Sequence, residues 1–447
     1  MIREYTARGN ALGKEFVNEG GAWVPAPRRD RGGGGGDGLS LGAQWDAFLL
    51  RFFMPANYPE SVSDDYAEWL RWHLSSLFCR YILEVMSSQA LLVAVSSSTK
   101  LDLSSTVVGA PALAAATNWV LKDGFGSFAT LAVGSRGGQN FDEDPKRQWV
   151  VSSAIEDVAR TIELLLPLHP QWFLPAAAAA RALRSGALVG RNSLVNGTIM
   201  RHFGLQENFS DVRAKLEAQG RSLALISLPL AIALFRFAQQ TLGPLSDPAN
   251  PGAASAASLA SVLALYAAII GAHNVACYKA ADALAFRTLN RRRLLIVAGR
   301  FVRGEAVGTP AEVAKEEGIF VPRRDAQGPV LGATLEDLAG VTEFPQAVRL
   351  FAAEGFVLVP SAVGGRPLVA LKRGVKDAHF FEAALAAQAL AHQPSGGGRG
   401  DALGEARTQA KAMQKPFEAA LLSSGWELQV VRGAFTSFDF SSTQGEN

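Results

Sequence analysis

The residues of this chain that could do chemistry are few and scattered. Gly38-Leu39-Ser40-Leu41-Gly42 has the spacing of a nucleophile elbow, where a serine on a strand-to-helix turn is exposed for attack. A glycine tract stands where the strand should be, so the match is one of spacing alone. Gly134-Ser135-Arg136-Gly137-Gly138 could wrap a phosphate with backbone amides and a guanidinium. It lacks the Lys-Ser/Thr of a nucleotide loop and the dinucleotide glycine spacing, and a plain turn is the simpler reading. The six histidines include no HExxH and no close pair. His202 and His273 sit in apolar helical surroundings, where a packed, hydrogen-bonded imidazole is the ordinary case. Cys79 and Cys277 have no Cys or His at metal spacing and read as buried thiols. No catalytic residue, no metal site and no cofactor follow from these patterns.

A second set of polar residues could hold a ligand. Lys122 and Asp123 precede Gly124, which also describes a helix end. Asp142 and Lys146 flank Pro145, where acids suit the positive end of a starting helix. Asp211, Lys215 and Gln219 follow one another at four-residue steps and therefore share one helix face. Asn196-Gly197-Thr198 and Asn208-Phe209-Ser210 fit the glycosylation pattern, but the first twenty residues carry acids and no apolar run, so no secretory or other targeting segment is seen.

The elements that must position these groups are mostly helical. The chain has 447 residues, 48% of them apolar and 19% charged, enough for two or three domains with a large core. A net charge of +2 gives no field for nucleic acid. A glycine linker, Gly32–Gly38, sets off an N-terminal arm over 1–44. Beyond Ser61 and Ser63, Tyr66, Leu70, Leu74, Leu77, Tyr81 and Val85 recur at helical steps and predict a core-facing helix. Leu103–Leu121 reads as helical only late, and Phe125–Val133 as a short extended piece before the Gly134–Gly138 turn. Helices are expected from Pro145 to about Leu166, Trp172 to Arg184, Gly186 to His202, and onward from Ser210.

Ser222–Phe235 and Gly252–Tyr278 carry no formal charge, and the second exceeds the roughly 20 residues that cross a bilayer. Ala256, Ala260, Ala264, Ala268, Ala272, Ala276 and Ala280 form a ladder of small residues that permits close helix approach. Basic residues flank the two segments on their outer sides (Arg213, Lys215, Arg221; Lys279, Arg287, Arg291–Arg293), while the connection carries Asp247 and no base. Ser222–Ala238 and Ala253–Tyr278 are thus expected to form an antiparallel hairpin entering a membrane, both ends on the positive side. Arg236 opposes this, and Pro229 opposes it less.

The tail, 301–447, predicts a small α+β domain. Thr309-Pro310 opens a helix. Phe356–Pro360 and Leu368–Lys372 predict a hairpin turning at Gly364-Gly365, and Trp426–Val431 a last strand of the same sheet. Helices over Phe344–Glu354, Lys376–His392 and Gly404–Ser423 cover it, with a glycine linker at Ser395–Gly400.

Several motifs in order resemble the root UVB sensitive family. They are Phe53-x-Pro55-x-x-Tyr58-Pro59-x-Ser61-Val62-x-x-Asp65-Tyr66, then Ser88-Gln89-Ala90-Leu91-Leu92, then Trp119-x-Leu121-Lys122-Asp123-Gly124-x-Gly126, then Phe141-Asp142 and Lys146. His202-Phe203, Asn208, Asp211, Lys215 and Gln219 continue the order, and the resemblance covers about 45–300, a helical domain. The chain departs from the family's pattern at Ser96-Ser97-Ser98, Gln148-Trp149 and Leu194-Val195-Asn196, where the family favours glycines, Trp-Arg and a closing arginine. A ligand of that arginine would bind this divergent member less well. The resemblance implies a plant or algal setting, with roles in seedling and root development, UV-B response and vitamin B6 homeostasis, and a plastid for some members.

The leading reading is a membrane-associated, non-enzymatic helical protein acting through protein partners, related chains among them. The alternative is a small-molecule or cofactor binding or transport protein, with Lys122, Asp123, Asp142 and Lys146 in a helical cleft. An enzyme of unknown reaction comes third.

Overall fold

The computed structural model describes residues 2–5, 11–19, 22–25, 52–101, 110–136, 142–242, 256–320, 328–338, 341–360, 366–393, 399–431 and 437–438. Both the Gly32–Gly38 linker and the serine pattern at Gly38–Gly42 lie outside them, as does the expected Gly364-Gly365 turn. The protein is mostly α-helical with a small sheet in its C-terminal region. It divides into two compact units built from separated stretches: Met1–Ala115, Arg160–Phe173 and Val195–Ala276 in the first, and Ala116–Ala159, Leu174–Leu194 and Cys277–Asn447 in the second.

In the first unit, strands β1 (Ile2–Tyr5), β2 (Ala11–Glu19) and β3 (Ala22–Pro25) form an antiparallel sheet within the N-terminal arm. Helix α1 (Tyr66–Leu101) follows, and its predicted apolar face is inward: Tyr66, Leu70, Leu77 and Val85 are buried. The second unit begins within α2 (Ala110–Arg136), which corrects the extended reading of Phe125–Val133. Aromatic and β-branched residues among glycines suggest a strand. The preceding alanine run nucleates a helix instead, and Gly126 has a helical use: a Cβ there would meet Arg181 Cγ and Ser185 Oγ at 2.8 Å each. The turn expected at Gly134 is corrected as well, since the helix runs on through Arg136.

Helix α3 (Pro145–Leu165) ends at Pro167 and Pro170 as the sequence implies. Helix α4 (Phe173–Ser193) runs unbroken through the expected gap at Arg184–Gly186, then passes through a π-helical turn (Leu194–Ile199) into the short α5 (Met200–Phe203). The long helices α6 (Phe209–Leu242) and α7 (Ala256–Ala283) contain the two uncharged segments. Within the first unit Met86 of α1, Ala231 and Phe235 of α6, and Val262 and Tyr266 of α7 share one apolar cluster. By length and composition, three helices among the described residues could cross a membrane: Tyr66–Val95, Phe209–Phe237 and Val262–Ala283.

The tail core lies between a sheet and helices. Helices α8 (Arg291–Val302) and α9 (Pro310–Glu317) come first; the Asn290 side chain caps α8, and a Thr309–Glu312 capping box opens α9. Then come β4 (Val330–Leu331), α10 (Leu335–Leu338), α11 (Phe344–Leu350), β5 (Phe356–Pro360), β6 (Pro367–Lys372), α12 (Asp377–His392), α13 (Arg399–Ser423) and β7 (Ser437–Phe438). β5 and β6 pair antiparallel as predicted, and their register sets Leu358 opposite Val369. The last strand is corrected. β4 and β7 both pair parallel with β6, at Leu368–Val369 and Leu371–Lys372, while Trp426–Val431 returns along Arg287–Leu289 through a single bridge, Leu289 to Val430. Trp426 is buried and its indole N–H donates to the Gly308 carbonyl at 2.8 Å, which fixes that course. Residues 399–400 of the expected second glycine linker are helical, and 395–398 lie outside the described residues.

Candidate functional site

Most of the sequence-predicted positions gather in three places, one in the first unit and two in the second. In the first unit, the segment before α1 is tied to α6 by its backbone. The Asp211 carboxylate accepts from the Ala56 N–H at 2.7 Å, Lys215 Nζ donates to the Phe52 carbonyl at 2.9 Å, and Gln219 Nε2 donates to the Phe53 carbonyl at 2.7 Å. The four-residue spacing read from the sequence is therefore a row of three polar groups on one helix face, gripping one stretch of main chain. Asn208 accepts through its own carbonyl from the Asp211 and Val212 N–H groups and starts the helix, while its side-chain Oδ1 and Nδ2 are buried without a hydrogen-bond partner among the described residues.

The same segment is pinned to α5. His202 Nε2 stands 2.8 Å from Asp65 Oδ2, and the Ser63 N–H donates to the Phe203 carbonyl at 3.2 Å. Phe203 packs edge-on to Tyr66 at 5.1 Å and against Trp69 at 4.8 Å, with Tyr58 6.2 Å from Tyr66. The Tyr58–Pro59 peptide is cis and sits at the bend of the segment. Here Tyr58, Pro59, Asp65, Tyr66, His202, Asn208, Asp211, Lys215 and Gln219 form one knot. Gln89 lies half-buried farther along α1.

In the second unit, the remaining candidates anchor two clusters. Lys122 is buried with its ammonium 4.0 Å from the centre of the Trp119 ring and 3.4 Å from Asp123, which also pairs with Arg181 at 3.2 Å. Lys146 is 1% exposed and 3.6 Å from Glu317, and Arg293 approaches the same carboxylate at 3.0 Å. Asn290 Nδ2 donates to Glu317 Oε1 at 3.1 Å. Burial alone would push the Glu317 carboxyl up, but Arg293 and Lys146 hold it below the ordinary range. Burial lowers the Lys146 ammonium, with Glu317 opposing. Asp142 is exposed at the head of α3. The sequence reading missed Glu317, Arg293 and Asn290. One signal was available: an acid in the last turn of a helix opposes the dipole and asks for a partner elsewhere.

Beside this network lies a cleft of ≈ 330 Å³ lined by Glu143, Asp144, Arg147, Asn290, Arg291 and Arg292. Arg291 pairs with Glu143 at 2.9 Å and Arg292 with Asp144 at 3.9 Å. Deeper along α3 the buried face stays charged: Glu156 meets Arg191 at 3.2 Å, and Arg191 lies over the Trp149 ring at 5.0 Å. Farther along, in the first unit, Arg160 is wholly buried 3.6 Å from Glu84. Cys277 is buried, while Cys79 is only half-buried. Among the described residues, no group of three His, Cys, Asp or Glu could hold a metal ion.

With this geometry in view, sequence comparison decides the lineage. The profile of the vitamin B6 photo-protection and homoeostasis domain matches residues 42–305, more than half of the chain. The chain belongs to the root UVB sensitive family. Both units therefore contain segments of the family domain. Among relatives, "Protein root UVB sensitive 5" of Arabidopsis thaliana is 28% identical over 69% of this chain and 58% of its own length. "Protein root UVB sensitive 6" of the same plant is 26% identical over 77% and 64%. "RUS family member 1" of Dictyostelium discoideum is 23% identical over 61% and 47%. The chain thus spans less than two thirds of these relatives' lengths. No solved structure matches it.

Proposed function

We propose that this chain is a membrane-associated, non-enzymatic family member that acts through protein partners, related chains among them, in vitamin B6 homoeostasis and the response to UV-B. One observation carries the membrane part. The outer half of α6 turns its apolar side chains outward: Leu225 is 76% exposed and Ile226 66%, with Leu228, Leu230, Ile232 and Phe237 also exposed. A face of that size is costly in water and ordinary in lipid. Arg236, near the end of the same helix, is exposed and can snorkel to a headgroup. On α7 the ladder residues Ala264, Ala268 and Ala272 are likewise exposed, open to another helix. The plastid is a natural setting, since the relative "Protein root UVB sensitive 2, chloroplastic" of Arabidopsis thaliana carries that word in its name.

The test is extraction and labelling. The chain should resist alkaline carbonate. In a cysteine-free background, single cysteines at Ser246 and Arg292 should label from opposite faces of sealed vesicles. Release by carbonate with labelling of both from one side would sink this reading.

A second reading, small-molecule binding or transport, is favoured by the charged inward face of α3 and the cleft at its head. Thermal shift with vitamin B6 forms tests it, because a ligand of the folded state alone raises the melting temperature. No shift at saturation removes it.

A further inference from the structure

Helix α3 is inside-out. At 100° per residue, Lys146, Trp149, Ser153, Glu156, Asp157 and Arg160 fall on one side, and all are buried. Arg147, Val151, Ala154, Ile155 and Val158 fall on the opposite side. Those four apolar residues, with Leu183 of α4 and Phe320, line an apolar groove of ≈ 340 Å³. Val158 and Phe320 are 55% and 49% exposed. The outward face of this helix is thus the apolar one, and the groove is open.

The groove begins one helical turn from the charged cleft, since Arg147 and Gln148 line the one, and Val150 and Val151 the other. In the cleft Arg291 and Arg292 are matched by Glu143 and Asp144. Arg147 is exposed, and among the described residues its guanidinium makes no hydrogen bond or ion pair. Three cations face two carboxylates, which leaves one positive charge at the mouth of an apolar groove. From Arg147 to Val158 is about 16 Å along the helix axis. That is about half of the roughly 30 Å hydrocarbon core of a bilayer, the depth of one leaflet.

We infer that the α3 face from Arg147 to Val158 is a binding site for an anionic membrane lipid, its headgroup on Arg147 and one acyl chain in the groove. A phosphate or carboxylate supplies the missing negative charge, and the acyl chain covers apolar surface that otherwise faces water. The inference rests on the membrane reading above.

The experiment uses the full chain purified in mild detergent, then mixed with phosphatidylglycerol or phosphatidylcholine vesicles. Native mass spectrometry counts retained lipids, and flotation scores vesicle binding. Phosphatidylglycerol should be retained in preference to phosphatidylcholine. Arg147→Gln and Val158→Asp should each weaken that retention by about tenfold, with circular dichroism melting unchanged. Arg213→Gln, whose side chain is exposed on α6, should not change it. Equal retention of both lipids, or variants that retain phosphatidylglycerol like the parent, overturns the lipid site while flotation leaves the membrane reading standing. Failure to float with either vesicle overturns both.

Discussion

The Asp65 carboxylate lies 2.8 Å from the His202 imidazole across 137 residues of sequence, and both side chains are nearly enclosed. This pair joins the segment before α1 to the end of α5, so it holds two distant parts of the family domain in one place. Asp65→Ala leaves a buried imidazole without its acceptor. It should cost about 2–3 kcal/mol, the usual loss when a charged hydrogen-bonding partner is removed from a buried site. Denaturant unfolding of the variant, read beside His202→Ala and the double variant, checks it. The two single losses should not add.

The Asp211, Lys215 and Gln219 row makes a graded prediction. Asp211→Ala removes a 2.7 Å bond to a partly buried backbone N–H and should cost about 1–2 kcal/mol. Arg213→Ala breaks only an exposed pair with Glu217 and should stay within about 0.5 kcal/mol. If the two lose equal stability, the row is not what fastens the segment.

How far the sequence speaks depends on the range of the interaction. Helix starts were legible because they are local: Thr309 with Glu312 and Pro310 announces α9, and the 211–215–219 spacing announces one face. What those three residues grip was not legible, since the Ala56, Phe52 and Phe53 backbones are main-chain atoms with no sequence signature. β4 and β7 have two residues each, too short for a period of two to show. The burial of α3 reversed the usual rule, because its apolar stripe at Val151, Ala154, Ile155 and Val158 reads as a core face. Only the charged partners Glu317 and Arg191 explain why the other side is inward.

The corrected helix α2 offers a contrast between two glycines. Gly126→Ala should destabilise by about 1–2 kcal/mol, because the added methyl meets Arg181 and Ser185 at 2.8 Å. Gly124→Ala, with nothing within 4 Å among the described residues, should be neutral or stabilise by up to about 1 kcal/mol, the helix propensity difference. Thermal melts of the two variants check the order. A larger loss at Gly124 would return this stretch to the extended reading.

The last prediction concerns acid. Glu354 Oε1 is approached by Arg407 Nη2 at 2.6 Å and Lys411 Nζ at 2.7 Å. Burial raises its carboxyl, but the hydrogen bonds from Lys411 and Arg407 bring it below the ordinary glutamate value. A folded-state value below the unfolded one means that the unfolded chain binds more protons, so the stabilisation is full above the unfolded value, roughly 4.3, and is lost as pH falls through the folded one. Glu382 works the other way. Burial, and then Glu354, raise its carboxyl, so the folded state takes its proton first, and stability gains as pH falls toward 4.3. The two effects occupy different windows, Glu382 above the ordinary glutamate value and Glu354 below it. Glu354→Gln should therefore cost about 1–2 kcal/mol at neutral pH, allowing for the partial exposure of Arg407 and Lys411, and should flatten the loss of stability below about pH 4. It should also weaken the Glu382 gain, since one source of that upward push disappears. Denaturant unfolding from pH 3 to 8 reads both limbs. An unchanged acid limb in Glu354→Gln would mean that this carboxylate is not what ties Gly355 and β5 to α13.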